Sequence, residues 1–158
     1  MPEISKSLIP IFSPLIEIVP VDCVPCIEGS VIFTSVNGVE NSPNGDGRIA
    51  FCVGEITTKA AAAFGWDAFQ KGETAQQLII ALSKMPDKSV FTHLAGVHTR
   101  GNIAERLSVA GHIARHIAVY DQLRCRFSAE ANEALASNFS LLVPLFSPRT
   151  ALVFAAQD

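Results

Sequence analysis

Apolar positions in this chain fall into short runs that end on Ser, Thr or Gly. The clearest is Val31-Ile32-Phe33-Thr34-Ser35-Val36-Asn37-Gly38-Val39. A β-branched run closes in Thr-Ser and hands over to a small-residue loop or helix start. That is the pattern of a buried strand at the carboxyl edge of a parallel sheet. A similar edge, Leu142-Val143-Pro144-Leu145-Phe146-Ser147-Pro148-Arg149-Thr150-Ala151, comes late in the chain. Two strand-to-Ser edges predict two similar halves facing one ligand.

Between these edges the pattern alternates between strand and helix periods. Residues 8–21 read as extended, because Pro10, Pro14 and Pro20 forbid a helix. Residues 22–29 are a turn-rich joint. Strands are predicted at 30–35, 48–53, 66–69, 90–96, 113–120 and 139–146. Helices are predicted at 55–64, 74–84, 102–110, 128–137 and 148–156. Helix stops fall at Gly65 and Gly111, and a helix start at Ser128. Alternating βα units mean a doubly wound, mostly parallel α/β sheet. Residues 28–120 contain a complete set. Residues 1–21 and 128–158 read as part of a further α/β domain, joined through linkers at 22–27 and 121–127. The flanks either pair into a small second layer or belong to an unfinished domain.

Composition narrows the function classes. Of 158 residues, 49% are hydrophobic and 17% charged, with a net charge of −3. No Lys/Arg run is present, so a nucleic-acid footprint is not expected. The apolar runs are broken by Pro, Asp or Glu before a membrane span would be complete. The start, Met-Pro-Glu-Ile-Ser-Lys, is not a secretory signal. Four cysteines are too scattered for a disulfide framework, which fits a reducing, cytoplasmic setting. Cys23-Val24-Pro25-Cys26 has the spacing of a redox or metal half-motif, but no second pair completes it. Cys52 reads as a small core residue.

The candidate chemistry sits at strand ends. Ser35, Gly54, Thr57 and Ser147 fall where strands give way to helix starts, and backbone N–H groups there bind anions without side-chain cations. The plainer alternative makes Ser35 and Ser147 ordinary helix caps. His98-Thr99-Arg100-Gly101 forms a loop after a strand, with Arg100 the best single cation for a carboxylate. His112 and His116 lie at opposite ends of one predicted strand segment, too far apart to share an ion. Gly54-Glu55-Ile56-Thr57 lacks the glycines of a dinucleotide fingerprint and the lysine of a phosphate loop. No Gly-x-Ser-x-Gly elbow is present.

In order, Pro14-Leu15-Ile16-Glu17-Ile18, Phe33-Thr34-Ser35-Val36-Asn37-Gly38-Val39, Val53-Gly54-Glu55-Ile56-Thr57-Thr58, Leu94-Ala95-Gly96, Leu107-Ser108-Val109-Ala110-Gly111, Val119-Tyr120 and Phe146-Ser147-Pro148 resemble the uroporphyrinogen-III synthase family. The resemblance covers nearly the whole chain through order and spacing. It implies a flavodoxin-like fold with two α/β domains, between which the chain crosses twice. It implies a hydroxymethylbilane substrate, a linear tetrapyrrole with eight carboxylates. That substrate loses water, inverts its last pyrrole ring and closes to uroporphyrinogen III. It implies no metal or organic cofactor, and a monomer. By the same resemblance Tyr120, the only tyrosine, lies near the cleft and assists loss of the hydroxyl, and the edges at Ser35, Gly54, Thr57 and Ser147 become substrate contacts; Arg100, expected from its charge alone, would meet one of the carboxylates. The first domain is expected to lack its opening strand and helix and its closing Gly-x-x-Thr segment. Ala95 stands where the family often has Arg. The alternative reading is a non-catalytic homologue that binds a polycarboxylate or self-associates through its flanks.

Overall fold

The computed structural model describes residues 9–22 and 26–157. The chain divides into two units: Ile18–Gln122, and a second made of its flanks, up to Glu17 and from Leu123 onward.

The larger unit is built on β2 (Ser30–Phe33), α1 (Val36–Glu40), β3 (Ile49–Cys52), α2 (Glu55–Ala63), β4 (Asp67–Gln70), α3 (Ala75–Leu82), β5 (Val90–Gly96), α4 (Ile103–Val109) and β6 (Ile113–Arg124), preceded by β1 (Ile16–Pro20). The six strands form one sheet in the order β1-β6-β5-β2-β3-β4. Strands β2 to β6 pair in parallel. Helices cover both faces, giving the doubly wound, flavodoxin-like α/β architecture.

The two faces explain why the central strand is apolar without interruption. Val31 and Phe33 join Val39 of α1, Ala61 of α2 and Trp66 in one cluster. Ile32, between them, points the other way and joins Leu78, Ile79 and Leu82 of α3 with Ile103 and Leu107 of α4. Val31, Ile32 and Phe33 are fully buried, and each contributes about 1.5–3 kcal/mol of apolar burial. β2 starts at Gly29, whose φ is +66°, and a Cβ there would sit 2.1 Å from the Val90 carbonyl oxygen. Only glycine fits that left-handed close approach.

Local chemistry sets the helix starts. Ser35 Oγ accepts the Gly38 N–H at 3.3 Å, and Thr74 Oγ1 accepts the Gln77 N–H at 3.2 Å. Each satisfies one of the orphan donors of a first turn. The small-residue segment after Ser35 thus becomes a five-residue helix. β6 is longer than its apolar pattern predicts. It passes Tyr120 and runs to Arg124, through much of the segment expected as a linker.

The smaller unit contains α5 (Ala129–Ala136) and α6 (Pro148–Ala155), capped by Ser128 and Ser147. Phe127 and Phe154 meet edge to face with centroids 5.2 Å apart. Gln157 accepts the Phe127 N–H at 2.8 Å and donates to the Cys125 carbonyl at 2.7 Å. The strand expected at 139–146 does not form: residues 140–146 are irregular. Phe139, Leu142 and Phe146 are highly exposed there. An apolar run becomes a strand only when another strand takes up its N–H and C=O groups, and 140–146 joins no ladder among the described residues.

Candidate functional site

The connections of the larger unit reverse direction at β2. From β2 the chain moves outward through β3 to β4, then returns across the sheet to β5 on the other side of β2. The carboxyl ends of β2 and β5 therefore flank a topological switch point, where open α/β sheets leave a crevice for ligands. A cavity of about 220 Å³ lies there. β2 lines it with Thr34 and Ser35, β5 with Ala95 and Gly96, the following loop with His98, Thr99 and Arg100, and β6 with Tyr120.

A register shift places the tyrosine. Ala95 pairs with Ala118, but Gly96 pairs with Tyr120, so Val119 is an extra residue on β6. This is a β-bulge, a device that re-aims side chains. Ala114 packs toward α3 and α4, and Ile117 packs toward α1 and α2. Strict alternation would send Tyr120 to the face of Ala114. The bulge sends both Val119 and Tyr120 to the α1/α2 face instead. That is the face of Phe33, and so of Ser35 two residues on. The Tyr120 hydroxyl comes within 3.5 Å of Ser35 Oγ, and the Tyr120 carbonyl accepts the Val97 N–H at 2.9 Å. Gly96 is the floor under the ring: a Cβ there would lie 2.7 Å from Cε2 and 2.8 Å from Cζ.

Thr34 points to the opposite face, where Oγ1 is 3.4 Å from His93 Nε2. His93 pairs in register with His116, and their rings lie 5.5 Å apart. Burial, reinforced by the neighbouring His116, lowers the His93 pKa to about 4. A neutral imidazole is therefore built in beneath the cavity at ordinary pH. His116 Nε2 lies 3.1 Å from the Gly96 carbonyl oxygen.

The cavity wall is cationic rather than acidic. Arg100 and His98 line it, no carboxylate does, and Arg100 makes no ion pair among the described residues. Asp121 Oδ1 stands 3.7 Å from His98 Nε2. Such a wall suits an anionic ligand.

Of the residues singled out in the sequence, the fold gathers Ser35, Arg100 and Tyr120 around this cavity. Gly54 and Thr57 are not among its lining residues. Gly54, with φ +75°, turns β3 into α2 and donates its N–H to the Gly72 carbonyl at 2.8 Å. Thr57 is buried on α2. The carboxylate of Glu73, hydrogen-bonded by Gln70 Nε2, stands close to Gly54. Ser147 belongs to the smaller unit, where it caps α6. His112 packs edge to face on Phe91 at 5.4 Å, a core position. Cys23 lies outside the described residues, and Cys26 is a free, exposed thiol. No group of three or more metal-ligating side chains occurs among the described residues. A larger hollow of about 850 Å³ runs between α3 and α4, past Ile80, Lys84 and Val109. It follows the helix flanks as far as Gly101 and Asn102 and takes in no strand residue, and we take the smaller cavity, lined by the strand ends, as the candidate site.

The sequence did not mark Thr34 or Asp121 as site residues, and it offered His93 and His116 only as metal ligands, a reading set aside. His93 and His116 meet only through the parallel register of β5 and β6. Asp121 was visible as the neighbour of Tyr120, the one signal that pointed to it.

Along residues 4–157 the sequence matches the family model of uroporphyrinogen-III synthase HemD. No curated protein matches the chain.

Proposed function

Because the chain belongs to the uroporphyrinogen-III synthase HemD family, we propose that it cyclises hydroxymethylbilane to uroporphyrinogen III, a hydro-lyase step of tetrapyrrole synthesis. The observation that carries this reading is the convergence of Tyr120, Ser35 and Arg100 on one cavity at the switch point of the sheet.

In this reading Arg100 pairs with a substrate carboxylate and orients the chain. A bidentate guanidinium contact fixes direction as well as charge. The Tyr120 phenol, held beside Ser35, donates a hydrogen bond to the departing hydroxyl. As the C–O bond breaks, its electron pair leaves with the oxygen, which takes the phenol proton and departs as water, while the pyrrole N–H of the substrate gives up a proton that restores the phenol. A cavity of about 220 Å³ is below the range of about 300–1,000 Å³ that encloses a whole drug-sized ligand. It suits a reacting pyrrole ring and its side chains. Catalysis is then mainly positioning: holding the terminal rings together favours the inverted product over spontaneous closure.

In the same reading the larger unit corresponds to the family's second domain, the smaller unit to its first, and the protein acts as a cytoplasmic monomer. Among the described residues no helix is long and apolar enough to cross a membrane. Ala95 in the cavity wall, at a position where the family often has Arg, favours one second reading: a module that binds the polycarboxylate without controlling the isomer.

The test is to incubate the purified protein with hydroxymethylbilane, oxidise the products and resolve the uroporphyrin isomers by chromatography. An excess of isomer III over the protein-free control is expected. Isomer I alone, from protein shown to be folded, would refute the synthase reading and leave the binding module.

A further inference from the structure

His98 lines the cavity from the loop between β5 and α4, and Asp121 follows Tyr120 on β6. Asp121 Oδ1 accepts the backbone N–H of Gln122 at 2.7 Å. That bond fixes the carboxylate from its own backbone, so it keeps its place without His98. The imidazole has no other polar partner among the described residues. The pair is separated by 3.7 Å, with side-chain exposures of 53% for His98 and 34% for Asp121. An exposed pair at that separation is weak and easily exchanged for another partner.

We propose that Asp121 holds His98 in reserve: an incoming ligand carboxylate takes the imidazolium from Asp121, and His98 and Arg100 together then grip that carboxylate beside Tyr120. This rests on the reading that the cavity receives a tetrapyrrole polycarboxylate. It adds to that reading a specific contact, a competitor for it and a dependence on pH. Among the described residues that line the cavity with His98, the charged and titratable groups are Arg100 on its own loop and Tyr120 on β6, and Asp121, next on β6, pairs with the imidazole. β2 offers only Thr34 and Ser35, and α3 only Ala75. The sign follows from these groups. An imidazole gains its charge as pH falls through the range 5 to 8. Carboxylates stay ionised throughout that range, and Arg100 stays cationic. Affinity therefore rises as pH falls from 8 to 6, and Asp121 opposes the rise by competing for His98.

The test is a fluorescence titration with uroporphyrin III, a stable octacarboxylate, at fixed ionic strength and at pH 6 and 8. Wild type is expected to bind about threefold more tightly at pH 6. Asp121→Asn raises the pH 6 affinity about threefold more, with a smaller gain at pH 8. His98→Gln removes the pH dependence, and in its background Asp121→Asn gives no extra gain at pH 6. The proposal is overturned if the pH dependence survives in His98→Gln, or if Asp121→Asn gives equal gains with and without His98. Porphyrin binding that lacks this signature removes the reserve contact and leaves the cavity reading standing. Absence of binding by wild type at both pH values removes both.

Discussion

Replacing Gly96 by Ala tests the placement of Tyr120 without touching a polar group. The new Cβ would sit 2.7 Å from Cε2 and 2.8 Å from Cζ of the tyrosine ring. Carbon atoms pack comfortably at about 3.5–4.0 Å, so the ring must withdraw by about 1 Å. It has little room to do so. Tyr120 is 6% exposed and belongs to the cluster of Phe33, Leu94 and Val119. Overpacking of this kind costs about 1–3 kcal/mol, and urea unfolding at neutral pH reads that loss directly. The withdrawal also stretches the 3.5 Å contact with Ser35 Oγ. A misplacement of about 1 Å at a reacting group costs on the order of a hundredfold in rate. The expected result is a folded, destabilised protein whose yield of isomer III per unit time falls by about that factor. A variant with wild-type stability and wild-type isomer output would refute both the packing argument and the placement of the phenol.

Three further outcomes follow from the same geometry. Tyr120→Phe keeps the ring in its cluster and loses only the hydroxyl at Ser35, so unfolding midpoints should change little while isomer III formation falls about tenfold or more; unchanged kinetics would remove the phenol from the mechanism. The lowered pKa of His93, about 4, makes stability depend on acid. The unfolded chain takes up a proton near pH 6.5 and the folded chain refuses it until about pH 4, so stabilisation is complete above the former value and lost as pH falls toward the latter, by at most about 3 kcal/mol. Urea midpoints measured from pH 7.5 to 4.5 should show this slope in wild type and a shallower one in His93→Gln, and equal slopes would exclude His93 as its source. Burial pushes the Cys52 thiol up to about 11, against a hydrogen bond from Thr58 that lowers it; iodoacetamide at pH 8 should modify the exposed Cys26 and spare Cys52 until the protein is unfolded, as peptide mass spectrometry would report.

Much of the sheet was legible because its signals are local. The run Val31-Ile32-Phe33 is buried on both faces, so its sequence is apolar at every position. Helix starts at Thr74 and Ser128 announce themselves through side chains that cap their own first turns. The misread segment failed for a nonlocal reason. Leu142-Val143-Pro144-Leu145-Phe146 has the composition of a strand, but strand formation depends on a partner that composition does not reveal. The site divides in the same way. Ser35 and Arg100 stand at strand ends, and Tyr120 was marked by family resemblance. Yet Tyr120 reaches Ser35 through an extra residue in β6, and no period-two reading of Ile113 to Tyr120 predicts that shift. The His93–His116 pair and the His98–Asp121 pair both arise from how β5 aligns with β6, which is a property of the assembled sheet.

The chain order of the two units also bears on how the protein folds. Ile18–Gln122 is one continuous stretch, whereas the smaller unit is assembled from segments on either side of it. The two ends of that stretch are already neighbours, with the Val21 N–H bonded to the Val119 carbonyl at 3.0 Å. Closing a loop of roughly one hundred residues costs about 4 kcal/mol in chain entropy, and the larger unit meets that cost with its own contacts before the flanks need to meet. The expected order is therefore the larger unit first. Damage to β5 or β6 should delay both units, whereas damage confined to α5 or α6 should leave the larger one folding at its own rate.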